Sequence, residues 1–221
     1  MNILIITDYL PYPLISGDRI RVYNLIRRIA RQHQVWLAAA LATSDDAESV
    51  AHLQELCYRV ETGCLRRSHP LMHLPGLLRF ALTGKPLELK FLYSKKLAMK
   101  IKQLVSTVDF DIVQIEPSRM AFYMETLPSG ARYKRILVFH NVTSDQYDRI
   151  SRIEPMSVGK IRTWLYSWMM RTWEPRYAER FDRCITVSEE DRRLLIASNP
   201  RLQVDVIPNG VDAQLYQPYL F

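Results

Sequence analysis

The sequence predicts an α/β fold built on a mostly parallel sheet, and three observations carry that prediction. Apolar runs of strand length recur along the chain, stretches with apolar residues at helical spacing fall between them, and no hairpin turn joins successive runs. Strands separated by helices pair in parallel through right-handed crossovers, with helices on both faces of the sheet. At 221 residues, 48% hydrophobic and 24% charged, the chain is large enough to bury one substantial core.

The elements follow in order. Residues 2–7 are a short apolar run bounded by Asp8 and two prolines, as suits a buried strand, and residues 18–31 place Ile20, Leu25, Ile26 and Ile29 near helical spacing. The alternation continues with a strand at 34–41, a helix at 45–56, a short strand at 58–61, and helices at 71–82 and 94–108. Further strands fall at 111–115, 135–139, 183–187 and 203–207. The pattern is that of a Rossmann-like doubly wound sheet, whose ligands sit beyond the carboxyl ends of the strands, so the residues just after each strand are the functional candidates.

The formal net charge of +7 gives a surface that attracts phosphates, whether in nucleotides, nucleic acids or anionic lipids. Arg19, Arg21, Arg27, Arg28 and Arg31 crowd one segment, Arg66 and Arg67 form a pair, and Lys95, Lys96, Lys100 and Lys102 crowd another; solvated helix faces are the ordinary explanation of such runs. No uninterrupted apolar stretch is long enough to span a membrane, and the first residues lack the basic flank and cleavage site of a signal peptide, so a cytoplasmic protein is expected. Cys57, Cys64 and Cys184 are odd in number and lack ligand spacing, which favours buried free thiols. His69 and His73 stand four apart, but Pro70 intervenes and no acidic third ligand is near, so no metal site is expected.

The loop after the first strand, TDYLPYPLISGD, lacks the GxGxxG pattern, which removes the main support for NAD or FAD. Gly17, with a helix opening at Asp18, can present backbone amides to an anion; an ordinary cap by Ser16 or Asp18 explains the same residues. His140 and Asn141 follow the strand 135–139, where a histidine faces the ligand crevice and can donate to a sugar hydroxyl or a phosphate. Ser188 with Asp191 reads as a capping box with Asp in place of Glu, which is structural reason enough for both. Asn209 and Gly210 suit positive backbone angles in a tight turn. Asp109 and Asp111 have a DxD spelling but precede a strand, so they read as a helix-to-strand turn.

Four segments, NILIITDYLPYPLISGD, ILVFHNV, FDRCITVSEEDRRLL and VIPNGVDAQLYQP, in this order and spacing, resemble the N-terminal, acceptor-binding domain of retaining GT-B glycosyltransferases of group 1 or family 4. SGDRIRVYNLIRRIA is more locally similar to bacterial members associated with exopolysaccharide assembly. The resemblance implies a Rossmann-like domain over residues 1–209, the start of an interdomain linker at 210–221, and a further donor-binding domain. It implies that Gly17 belongs to the loop near the donor phosphates, with Ser16 where the family often has a second glycine, and that His140 lines the site near the transferred sugar. Ser188 and Glu189 match a segment at the cleft, and Asn209 and Gly210 match the interdomain turn; Asp18 and Asn141 are their neighbours in the substrate-binding set. The implied reaction moves a sugar from a nucleotide-sugar donor to a saccharide or lipid-linked acceptor with retention, without a metal or other cofactor and without nucleic acid. A non-catalytic binding module of the same fold and an epimerase-like sugar-nucleotide enzyme are the alternatives.

Residues 156–181 read as one helix. Ile161, Trp164, Leu165, Trp168 and Met169 share an apolar stripe flanked by Lys160, Arg162 and Arg171, which suits either a core face or peripheral contact with an anionic membrane at its inner face.

Overall fold

The computed structural model describes residues 1–41, 47–65, 85–128, 130 and 132–210. Its strands β1 (Asn2–Thr7), β2 (Gln34–Leu41), β3 (Arg59–Cys64), β4 (Ile112–Ile115), β5 (Lys134–Phe139), β6 (Arg183–Thr186) and β7 (Val204–Val206) form one parallel sheet in the order β3-β2-β1-β4-β5-β6-β7. The helices are α1 (Gly17–Ile29), α2 (Ala47–Gln54), α3 (Lys95–Thr107), α4 (Thr143–Ile153), α5 (Val158–Ala178) and α6 (Glu189–Ser198). The doubly wound α/β class expected from the sequence is what the chain adopts.

The apolar character of β1 follows from its central place, where both faces are covered. Ile3 and Ile5 pack in one layer with Val22 and Ile26 of α1 and Leu53 of α2, while Leu4 and Ile6 join the larger layer with Leu97 and Ile101 of α3, Met170 and Trp173 of α5 and Leu195 of α6. This alternation is the two-residue period of a strand.

Where structure and expectation differ, the reason is local. The strand expected at 58–61 runs on to Cys64, because Gly63 lies against α3: a Cβ there would come within 2.6 Å of the Leu97 Cβ, so only glycine lets strand and helix approach this closely. The sequence ETGC carries no strand-like apolar alternation to reveal it. Helix α4 escaped notice because its buried residues are Thr143, Ser144 and Ser151, so no apolar residues mark its core face. The 3-10 segment Ser118–Thr126 was likewise unforeseen.

Cys57 and Cys184 are buried, but Cys64 is exposed, being the last residue of the edge strand β3. Neither Asn209 nor Gly210 has a positive φ; side-chain hydrogen bonds, described below, hold this segment instead of a tight turn. Asp109 and Asp111 do form a helix-to-strand turn: the Asn2 amide N–H donates to Asp111 Oδ2 at 2.7 Å, and the Asn2 side chain donates to the Asp109 carbonyl at 2.9 Å. They stand at the amino end of β1 and β4, away from the ligand-binding edge. Lys95, Lys96 and Lys102 lie on the solvated face of α3, and Lys100 pairs with Glu61 at 2.6 Å. The expected helix at 71–82, Arg66, Arg67, His69 and His73 lie outside the described residues.

The stripe on α5 faces outward. Trp164 is 54% and Trp168 58% exposed, with Ile161 and Leu165 beside them; Met169 is half-buried. The core face is formed by Thr163, Tyr166, Met170 and Trp173. Ile153, Met156 and Val158, at the turn between α4 and α5, extend the exposed apolar surface. Among the described residues no helix is long and apolar enough to cross a membrane.

Candidate functional site

The strand order reverses at β1, which lies between β2 and β4, and in such sheets ligands bind beyond the carboxyl ends of the strands at this point. Asp8 and Tyr9 follow β1, Glu116 to Arg119 follow β4, and His140 follows β5. The Glu116 side chain, 1% exposed, places Oε2 3.3 Å from His140 Nε2. That is close enough for an ion pair, though not aligned as a hydrogen bond. Gln114 donates to Glu116 Oε1 at 3.0 Å and fixes the carboxylate from the other side. A carboxylate held this way orients the imidazole, whose remaining edge can meet a ligand.

Beside this pair, Arg119 Nε donates to Asp8 Oδ2 at 2.6 Å, joining the loops after β1 and β4. Burial raises the Asp8 carboxyl more than the Arg119 charge lowers it. Burial, and after it the Glu116 charge, also raise the Tyr9 hydroxyl far above its ordinary range. The Arg19 guanidinium lies 5.7 Å from the centre of the Tyr9 ring.

Gly17 opens α1 on the same edge. The preceding Ser16 is extended (φ −147°, ψ 156°), yet its hydroxyl caps none of the helix amides and turns to the Asp18 carboxylate. Asp18 Oδ1 accepts the Arg19 N–H at 2.9 Å. The Asp18 carboxyl lies below its ordinary value: burial works to raise it, but the bonds from Ser16 and Arg19 and the nearby charge of His140 outweigh that. The Gly17 loop, which follows β1, and His140, which follows β5, lie at the same carboxyl edge of the sheet. A Cβ on Gly17 would meet nothing within 4 Å, and the backbone there is not in the left-handed region. Neither packing against the described residues nor backbone conformation requires the glycine.

The other candidates are spread along the same edge. Ser188 caps α6, its Oγ accepting the Asp191 N–H at 3.1 Å, as the capping-box spelling anticipates. Asp191 Oδ1 in turn accepts the Val142 N–H at 3.1 Å, tying this cap to the His140 loop. Glu189 is exposed and pairs with Arg192 at 3.3 Å, and Asn141 is exposed. Asn209 accepts from Arg21 Nη1 at 2.9 Å, and the same guanidinium donates to the Pro208 and Ile207 carbonyls at 3.1 and 2.9 Å. Arg21 thus ties the segment leaving β7 to α1, although β7 lies four strands from β1. Gly210 is exposed.

The structure therefore sets Gly17, Asp18 and His140 at the carboxyl edge of the sheet, links Ser188 to the His140 loop through Asp191, and leaves Glu189 and Asn141 towards solvent. Sequence reasoning missed Asp8, Tyr9, Arg21, Glu116 and Arg119. Asp8 and Glu116 each directly follow a strand, so the positional rule that singled out His140 applies to them equally.

The fold is shared with several glycosyltransferase structures. HepE from Anabaena, solved with UDP and glucose, is 18% identical with a TM-score of 0.55, over 98% of this chain and 46% of that one. Sucrose-phosphate synthase from Thermosynechococcus elongatus is 15% identical with a TM-score of 0.61, over 99% and 50%. The lipopolysaccharide outer core galactosyltransferase WaaB is 13% identical with a TM-score of 0.53, over 96% and 46%. This chain spans about half the length of each neighbour. No curated protein sequence matches it. The family model for Glycosyltransferase Family 4 matches residues 15–215, a span that runs from the loop before α1 past the last strand, and the chain accordingly belongs to Glycosyltransferase Family 4, with the fold of the amino-terminal domain of a GT-B glycosyltransferase.

Proposed function

We propose that this chain is the acceptor-binding half of a retaining glycosyltransferase, which moves a sugar from a nucleotide-sugar donor to a saccharide or lipid-linked acceptor. The observation that carries the reading is the Glu116–His140 pair, set on the same carboxyl edge as the Gly17 loop and beside the sheet's reversal point. The departing diphosphate needs positive potential and hydrogen-bond donors. The Gly17 and Asp18 amides at the start of α1, which the Ser16 side chain leaves uncapped, offer donors, as helix N-termini do for anions, while the Arg19 N–H is held by Asp18. Arg19 adds charge beside them. His140, steadied by Glu116, donates to a hydroxyl of the transferred sugar. None of these roles requires a metal. A second domain, following the segment that Arg21 tethers, supplies the remaining donor contacts and reads the nucleotide.

The outward stripe of α5 supports a peripheral membrane contact for a lipid-linked acceptor. Exposed tryptophans among aliphatic residues suit the lipid interface, with Lys160 and Arg162 nearby to meet anionic headgroups.

The test uses a two-domain protein that includes this chain, a panel of labelled nucleotide sugars and a lipid or oligosaccharide acceptor. Label should appear on the acceptor, and His140→Ala should reduce turnover far more than thermal stability. Interconversion of the nucleotide sugar without any acceptor would favour an epimerase-like enzyme. Submicromolar binding of a nucleotide sugar by the 221-residue chain alone would show a complete donor site and end the half-enzyme reading.

A further inference from the structure

Glu174, on α5, is 1% exposed, and nothing in the chemistry proposed above uses it. Its carboxylate is surrounded by donors from two separate loops. The Ser118 hydroxyl donates to Oε1 at 2.6 Å, the Thr143 N–H donates to Oε1 at 3.2 Å, and the Ser144 N–H reaches Oε2 at 3.4 Å. The Ser118 and Thr143 hydroxyls are themselves 3.2 Å apart. Two turns earlier on α5, the Ser167 hydroxyl donates to the Ser144 carbonyl at 2.7 Å, so one helix grips this residue by both backbone groups.

The positions of these donors give the arrangement its meaning. Ser118 stands two residues after Glu116, and Thr143 stands three after His140. Each member of the Glu116–His140 pair therefore sits just upstream of a residue bound by the same carboxylate. A cap for α4 needs only the Thr143 and Ser144 amides, and a serine or aspartate at the start of that helix would serve. A buried carboxylate 31 residues beyond Thr143, shared with the loop after β4, does something a local cap does not: it fixes the separation of two strand-end loops. It also closes the α4 N-terminus to any ligand anion, leaving the α1 amides for that purpose.

We propose that Glu174 is a positioning residue, whose carboxylate sets the spacing of Glu116 and His140 by binding Ser118 and Thr143 together. The assignment of His140 to the reaction rests on the function proposed above; the geometric claim does not. Glu174→Gln keeps the size of the side chain but replaces one acceptor by an amide that cannot accept the N–H facing it.

In the 15N-labelled 221-residue chain, Glu174→Gln should retain the wild-type far-UV circular dichroism, yet displace the imidazole nitrogen resonances of His140 while those of His33 and His52 stay in place. In the two-domain protein the same variant should lower kcat at least about tenfold and leave KM for the nucleotide sugar within about twofold, as expected when an interaction made only in the transition state is disturbed. Unmoved His140 resonances, with only the Thr143 and Ser144 amides losing exchange protection, would reduce Glu174 to a helix cap and overturn the proposal. If Glu174→Gln does not fold, Ser118→Ala decides: it removes one donor and leaves the carboxylate, and it should shift the His140 resonances in a folded chain, an unmoved ring again overturning the idea. Full activity of His140→Ala would sink the proposed function, whereas the response of the His140 ring to Glu174 would stand or fall separately.

Discussion

Replacing Gly17 by alanine should move stability and ligand binding in opposite directions. A Cβ at this position meets no atom of the chain within 4 Å, and the backbone is not in the left-handed region. The substitution then acts mainly by restricting the unfolded chain, which stabilises by about 0.5 kcal/mol at a compatible site. For a domain of this size that corresponds to a rise in Tm of about 1–2 °C. On the function proposed above, a phosphate meets the Gly17 and Asp18 amides at this position, where a Cβ would stand in its way. A phosphate excluded from one charge-assisted amide bond loses about 1.5–3 kcal/mol, a weakening of about 10- to 150-fold in Kd. Thermal denaturation of the 221-residue chain and calorimetric titration of UDP into the two-domain protein measure the two quantities. A variant with raised Tm and unchanged UDP affinity would remove the Gly17 loop from the phosphate site. A variant that loses stability would mean that the glycine serves the fold after all.

Three further outcomes are expected. Arg21→Ala removes the donor to Ile207, Pro208 and Asn209; at about 0.5 kcal/mol for each such partly solvated bond the loss is about 1–2 kcal/mol, and hydrogen exchange at the Val204 and Val206 amides should quicken, wild-type rates there showing the tether to be idle. Arg21→Lys should recover little, since one ammonium cannot serve three acceptors with the geometry of a guanidinium. Glu61 lies below its ordinary value of 4.5, because hydrogen bonds from Lys100 and Arg59 outweigh the opposing effect of burial; its stabilisation is complete above that value and fades as pH falls through the folded one. Urea midpoints of Glu61→Gln should therefore depend less on pH than those of the wild type on the acid side of 4.5, and parallel profiles would refute the assignment. In a flotation assay at low ionic strength, the chain should rise with anionic vesicles and not with neutral ones, each Lys or Arg near the surface contributing on the order of 1 kcal/mol; Trp164→Ser with Trp168→Ser should keep it at the bottom, and a wild-type chain that stays there with both vesicles would exclude the lipid contact.

The elements that were legible in the sequence are those whose burial is two-sided or strongly periodic. β1 and β2 are continuous apolar runs because both sheet faces are covered, and α3 carries Leu97, Ile101 and Leu104 at helical spacing. α4 was not legible, because the residues it buries are Thr143, Ser144 and Ser151, and the contacts that hold its first turn come from Ser118 and Ser167, distant in sequence. The second half of β3 was hidden in the same way, since Gly63 is there for the approach of α3 and not for any strand propensity. For the site, the rule that ligands gather at strand ends led to His140 but not to its partner Glu116, and no local pattern marks the ion pair of Asp8 with Arg119 across more than 100 residues. The direction of the α5 stripe was equally hidden: periodicity shows that one face is apolar, and only packing decides whether that face or its neighbour meets the core.

The distribution of unsatisfied polar atoms separates the binding surface from its support. Among the described residues, eight buried side-chain atoms lack a hydrogen-bond partner, and five of them belong to Asp8, Tyr9, Arg21, Glu116 and His140. Glu116 Oε2 and His140 Nε2 face each other at 3.3 Å, which offsets part of their cost; for Asp8, Tyr9 and Arg21, leaving such an atom unpaired costs about 1–3 kcal/mol each. Ordinary folding does not retain that cost in one place unless water or a ligand meets these atoms. Behind them the same loops are fully engaged: Glu174 takes donors from Ser118, Thr143 and Ser144, and Asp191 takes Val142. The unpaired set is mixed, with carboxylate oxygens that only accept, a guanidinium N–H that only donates, and a phenol that can do both. A phosphate, which is an acceptor, would satisfy Arg21 but repel Asp8 and Glu116. Sugar hydroxyls donate and accept from adjacent carbons and can meet the whole set, which agrees with the proposal that a saccharide binds beside His140.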